Sequence, residues 1–165
     1  MIILGIDPGT QRIGYGVISA NVGSSPIYRE AGIFSLTTSS TDITLLKDIR
    51  LRCIDLCSTF RPDVIAIEKI FFSKNQKTAM AVAHARGALI STATDFCSTI
   101  LEFSPNEIKL AVCGSGAADK LAVAKMVRLI LHINTNSFID DAVDALAIAL
   151  CAQQHLRTIH SFSTH

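Results

Sequence analysis

Four carboxylates occupy unusual places in this chain: Asp7, Glu68, Asp141 and Asp144. Asp7 closes an apolar run that begins at Met1, and Glu68 closes a second one, Val64-Ile65-Ala66-Ile67. Both runs read as strands, the second buried on both faces. Each acid therefore falls at the carboxyl edge of a sheet, where ligands of open α/β folds collect. Asp141 and Asp144 start a long helical stretch, and at 100° per residue they project about 60° apart on one face. Val143, Leu146, Ala147 and Leu150 form the opposite, apolar stripe. Taken singly, Asp7 passes for a turn opener and the Asp pair for favourable acids at a helix N-terminus. Glu68 fits that explanation least, because Glu is a poor turn former. Asp140 points elsewhere and suits a cap.

Brought together, these acids would concentrate more negative charge than a protein tolerates without a cation between them. Hard oxygen donors suit Mg²⁺ or Mn²⁺, and no Cys/His spacing suggests zinc. Two such ions about 3.5–4 Å apart would activate a water and stabilise the leaving oxygen of a phosphodiester. The expected chemistry is that of a nuclease. Positive charge is placed to match. Lys69, Lys74, Lys77 and Arg86 lie in a stretch from 69 to 94 that holds no acid, and Lys120, Lys125, Arg128 and His132 lie in another from 120 to 139. Such stretches can hold phosphates on either side of a cut, although each alone also reads as a solvated helix face. Phe71 and Phe72 adjoin Ser73-Lys74-Asn75 in a loop, where one ring can join the core and the other stack on or wedge between bases.

The elements that must position these groups follow from the hydrophobic pattern. Strands are expected over Met1–Asp7, Ile13–Ser19 and Ile27–Leu36. A helix through Leu46, Ile49, Cys53, Leu56, Cys57 and Phe60 stops at Arg61-Pro62. After the strand ending at Glu68 come an alanine-rich helix over 77–94 and a short strand, Ile100–Phe103. A helical stretch broken by Gly114-Ser115-Gly116 follows, then a helix from about 119 to 132 and a polar loop, Asn134–Ser137. A last helix runs from Asp140 to about Leu156, and the tail from Arg157 to His165, without periodicity, reads as frayed. The expectation is one α/β domain over 1–156, a sheet covered by helices, with a flexible tail over 157–165.

Composition agrees. A chain of 165 residues suits one domain, and 49% hydrophobic against 18% charged residues excludes disorder and a coiled coil. With a net charge of +1, contact with a polyanion must come from local clustering, and such binding is expected to be salt-sensitive. Five cysteines without a CxxC pair, and no apolar run near the 18 or so residues of a membrane span, predict a reduced, cytoplasmic protein. Cys53 and Cys57 read as small core residues, and His155, His160 and His165 as chance occupants of the tail.

Several ordered motifs carry a resemblance. The opening Leu-Gly-Ile-Asp7-Pro-Gly-Thr-Gln-Arg-Ile-Gly-Tyr-Gly, then Ile67-Glu68-Lys69-Ile70-Phe71, Ala85-Arg86-Gly87 and Asp141-Ala-Val-Asp144-Ala-Leu-Ala-Ile-Ala are similar to those of the RuvC family of bacterial Holliday-junction resolvases. They span residues 2 to about 152 in the family's order. The resemblance implies an RNase H-like fold with a five-stranded mixed sheet, a homodimer, and Mg²⁺-dependent symmetric nicking of four-way DNA junctions in recombination and repair. Mn²⁺ would substitute for Mg²⁺, with two ions per site. It implies that Asp7, Glu68, Asp141 and Asp144 are both the metal ligands and the catalytic residues, Asp7 bridging both ions; the family's register favours Asp141 over Asp140. Phe71 would match the junction-contacting aromatic, with Phe72 a competitor. Lys109 and Lys120 fall at functional lysines, Lys120 against the phosphate under attack, and Lys74 and Arg86 join them as candidate DNA contacts. The alanine-rich helix would form the dimer contact, and the RuvA–RuvB branch-migration complex would be a partner. The alternative is a RuvC-like nuclease acting on structured RNA, such as a ribosomal RNA precursor. The same opening resembles the phosphate hairpin of sugar-kinase and actin-like ATPases, but those need two such domains.

Overall fold

The computed structural model describes residues 1–9, 12–21, 24–36, 42–69, 76–133 and 139–163. Its elements are β1 (Ile2–Pro8), β2 (Arg12–Ser19), β3 (Ile27–Ser35), α1 (Asp42–Phe60), β4 (Val64–Glu68), α2 (Gln76–Ala93), β5 (Ile100–Phe103), α3 (Pro105–Cys113), α4 (Lys120–Leu131) and α5 (Asp140–Ser163). The strands form one mixed sheet in the order β3-β2-β1-β4-β5. β1 pairs antiparallel with β2 and parallel with β4. The sheet thus joins a hairpin ribbon to two parallel strands reached through α1 and α2.

Side chains alternate across a strand, so each of these strands feeds two cores. Leu4, Ile6, Ile13, Val17, Ile65 and Ile67 pack under α1 and α2, together with Ile49, Cys53, Cys57 and Leu89. Ile3, Ile18, Val64, Ala66 and Phe103 pack on the opposite face against α3, α4 and α5. The two cysteines are core residues, as their helical spacing predicts. α1 ends at Arg61, whose φ of 46° turns the chain before Pro62. α3 starts on a capping box, Ser104 with Glu107, and ends on left-handed Gly114. Asp119 caps α4 by accepting from the Ala122 N–H at 2.7 Å, which fixes Lys120 at the head of the helix.

α5 crosses β1 and β2 where their residues are smallest. Gly5 and Gly16 face each other in the β1–β2 register. A methyl at Gly16 would lie 2.7 Å from the Leu146 nitrogen, and one at Gly5 would lie 2.7 Å from the Ala149 nitrogen. Ala145, Leu146 and Ala149, on the helix side, are 0% exposed. This close seat fixes both the height and the rotation of α5, and with them its two N-terminal carboxylates.

Some boundaries differ from the sequence reading. β1 and β2 reach Pro8 and Arg12, because the hairpin continues its pairing through Pro8 and Ile13. α5 continues past Leu156 to Ser163. Apolar periodicity reports burial rather than helicity, and a helix already nucleated extends at one hydrogen bond per residue. His155 belongs to that helix and lies edge-on to Phe103 at 5.6 Å, rather than in a loose tail. The expected loop over 134–137 lies outside the described residues. Among those described, no helix is long and apolar enough to cross a membrane.

Candidate metal centre

Strand parity assembles the first half of the site. On β1, Asp7 shares the face of Ile3 and Gly5, and on β4, Glu68 shares the face of Val64 and Ala66. Gly5 pairs with Ala66 in the parallel register, so their second successors emerge side by side at the carboxyl edge. The Asp7 and Glu68 carboxyls come within hydrogen-bonding reach of each other there. Helix α5 supplies the other half. Gly14 stands opposite Asp7 in the hairpin and under the Asp141 carbonyl, so the first turn of α5 opens directly over Asp7. Asp7, Asp141 and Asp144 each offer a carboxylate oxygen within 4.8 Å of the others. Asp140 points outward with its side chain 77% exposed, 3.5 Å from the Lys120 Nζ.

The electrostatics follow from this crowding. Burial, and then the charges of Glu68, Asp144 and Asp141, raise the Asp7 carboxyl from 3.8 to about 7. Glu68 is raised by burial and by Asp144, with its hydrogen bond from Asp7 opposing. Asp144 is also raised by burial, against the pull of Lys120 at 3.1 Å. Burial pulls the Lys120 ammonium down, but its contacts to Asp144 and Asp140 outweigh that and hold it above its ordinary value. Crowding thus disfavours ionising these carboxylates together, and a cation among them would relieve the repulsion. The donors are all oxygens at one sheet edge, while Cys53 and Cys57 lie across the sheet in the other core. This set fits a hard divalent ion such as Mg²⁺ or Mn²⁺.

The predicted cations divide. Lys109 and Lys120 line a cavity of about 200 Å³ together with Glu68 and Asp144, at the flank formed by α3 and α4. Arg86 is not free: its Nη2 lies 2.6 Å from Glu102, which ties α2 to β5. Phe71, Phe72 and Lys74 lie outside the described residues. One cation at the cluster went unremarked in the sequence: Arg12 places its Nε 3.7 Å from Asp141 Oδ2. Parity with Gly14 and Gly16 along β2 was the signal that would have put it on this face.

A mixed five-stranded sheet with helices on both faces, and an oxygen-donor cluster at the carboxyl edge of its central strands, defines an RNase H-like protein. The family model "Crossover junction endodeoxyribonuclease RuvC" matches residues 3–152, and the chain belongs to that family. It is 40% identical over 157 residues to the crossover junction endodeoxyribonuclease RuvC of Natranaerobius thermophilus, covering 95% of this chain and 97% of that one. Identity to the RuvC of Alkaliphilus metalliredigens is 38% over 151 residues, 92% of each chain. The structure of Thermus thermophilus RuvC in complex with Holliday junction substrate matches with a TM-score of 0.89 and 29% identity, covering 96% of both chains.

Proposed function

We propose that this protein is a structure-selective endonuclease that resolves four-way DNA junctions by paired, symmetric nicks, in homologous recombination and DNA repair. The carrying observation is the cluster of Asp7, Asp141 and Asp144, completed by Glu68, on a frame that matches a junction-bound relative over 96% of its length. Asp7, Glu68, Asp141 and Asp144 would hold two Mg²⁺ ions, and Mn²⁺ would serve in their place. When bound, the ions supply Lewis-acid stabilisation to the phosphoryl and leaving oxygens.

The chain's own residues do the rest. Asp7 and Glu68 would give up any shared proton to serve as carboxylate donors. Lys120, 3.1 Å from Asp144 at the cluster, would offer its ammonium to the phosphate under attack, where a positioned charge counts most. Lys109, in the same cavity, holds the backbone alongside. Phe71 or Phe72 would meet unstacked bases at the junction, and Lys74 a neighbouring phosphate.

Symmetric nicks need two sites, and α2 supports a twofold pair. Met80, His84, Gly87 and Ser91 are all exposed along one side of α2. A Cβ at Gly87 would meet nothing within 4 Å. Glycine there weakens the helix by about 1 kcal/mol without any packing return inside the chain, yet leaves room for a second copy's helix. In the bacterial cytoplasm, the RuvA–RuvB complex would deliver the junction to this dimer.

The test is cleavage of an end-labelled mobile four-way junction at low salt, with and without Mg²⁺, beside linear duplex and a structured RNA. Paired nicks in the junction alone, dependent on the metal, are expected. Cutting of the RNA with the junction left intact would move the function to RNA processing.

A further inference from the structure

The carboxylate cluster is bracketed by cations on both flanks. Lys120 approaches from α4, on the β4 side of β1, with its Nζ 3.1 Å from Asp144. Arg12 approaches from the head of β2, on the other side of β1, with its Nε 3.7 Å from Asp141 Oδ2. The two pairs differ from the ion pair that holds the fold. Arg86 meets Glu102 at 2.6 Å with its side chain 23% exposed, whereas the Arg12 side chain is 51% exposed and touches Asp141 through one long contact. A half-exposed, single-point pair contributes little to stability and exchanges readily. It also leaves unused the planar fork with which a guanidinium grips a phosphate.

We propose that Arg12 is an exchangeable counter-ion of Asp141, which passes to a backbone phosphate of the bound strand when a divalent cation takes the Asp141 carboxylate. The inference rests on the nuclease reading above. It assigns a phosphate contact on the β2 flank, opposite the one made by Lys120. Charge enforces the exchange: a guanidinium beside a cluster newly filled with divalent ions is repelled by them, and the nearest compensating anion is the strand those ions hold. Arg12 therefore opposes metal binding in the free protein and favours DNA binding in the loaded one.

These opposed signs give the test. Mn²⁺ is titrated calorimetrically into the full chain without DNA, for wild type, Arg12→Ala, Arg12→Gln and Arg12→Lys. Both neutral variants are expected to bind Mn²⁺ about threefold more tightly, and the lysine variant to stay near wild type. Junction affinity is then followed from about 50 to 200 mM salt, in Ca²⁺ and in EDTA. In Ca²⁺ the neutral variants should show a salt slope smaller by about one than wild type; in EDTA the difference should vanish. Looser Mn²⁺ binding in Arg12→Ala and Arg12→Gln would make Arg12 a structural clamp on Asp141 and overturn the proposal. Equal slopes in both buffers would overturn it too. A wild-type protein that cuts no junction would sink the resolvase reading separately, since the metal titration without DNA decides the counter-ion role.

Discussion

The carbonyl oxygen of Asp141 rests on Gly14, the residue that faces Asp7 across the hairpin. This one contact joins the two halves of the carboxylate cluster, because it sets the height of α5 above the strand that carries Asp7. A Cβ at Gly14 would overlap that carbonyl and lie 2.6 Å from its carbon. Gly14→Ala is therefore expected to lift the first turn of α5 and spread the carboxylates. Mn²⁺ affinity should fall more than about tenfold while the circular dichroism spectrum persists. Unchanged metal binding would detach the centre from this helix seat.

Asp7→Asn removes the central donor without altering its shape. Cutting is expected to fall more than about 100-fold, with junction affinity in metal-free buffer held within about threefold of wild type. An end-labelled cleavage assay beside a gel-shift titration separates the two effects. Cutting at the wild-type rate would remove Asp7 from the site.

The raised carboxyl of Asp7 also predicts a pH dependence. Its value of about 7 in the fold, against 3.8 ordinarily, means that the folded chain binds this proton more tightly than the unfolded one. The resulting stability is complete below the unfolded value and is lost as pH rises through the folded one. Thermal melts of metal-free protein should thus fall between about pH 4 and pH 7 and level off above, and Asp7→Asn should flatten the decline. With Mn²⁺ the trend reverses, since the cation competes with the proton; calorimetry in buffers of different ionisation enthalpy near neutral pH should record proton release on binding.

The adjacent acids of α5 are expected to behave differently. Asp141 lies in the cluster, whereas the Asp140 side chain is 77% exposed. Asp141→Asn should cost more than about 100-fold in cutting, and Asp140→Asn less than about threefold, read as single-turnover rates. Lys120→Met should slow the same step by about 100-fold or more, in keeping with loss of a charge aimed at the reacting phosphate.

Gly87 offers a test of assembly that spares the fold. A Cβ at Gly87 meets nothing within 4 Å and Gly87→Leu improves helix propensity, so thermal stability should not fall at concentrations where the protein is monomeric. Sedimentation at micromolar concentration should show the wild type as a dimer and the variant shifted toward monomer. A dimer unaffected by leucine would place the interface away from this face of α2.

The amino-acid pattern alone determined much of this protein. Apolar runs and their breakers located the described strands and helices, the far end of α5 excepted, since burial imposes a period of two or 3.6 on any chain that must fold around a core. The same pattern exposed Asp7 and Glu68 as acids in the wrong place, and the order of motifs identified the family. Tertiary structure decided what periodicity cannot carry. Periodicity already put Asp141 and Asp144 on one helix face; that this face meets Asp7 depends on the height and rotation of α5, fixed by its seat on Gly5, Gly14 and Gly16. That Arg86 pairs with Glu102 while Arg12 reaches Asp141 depends on which element lies within a few ångströms, a fact of packing between residues distant in sequence. Local pattern tells a side chain which face it occupies; only the closed fold tells it which charge it will meet.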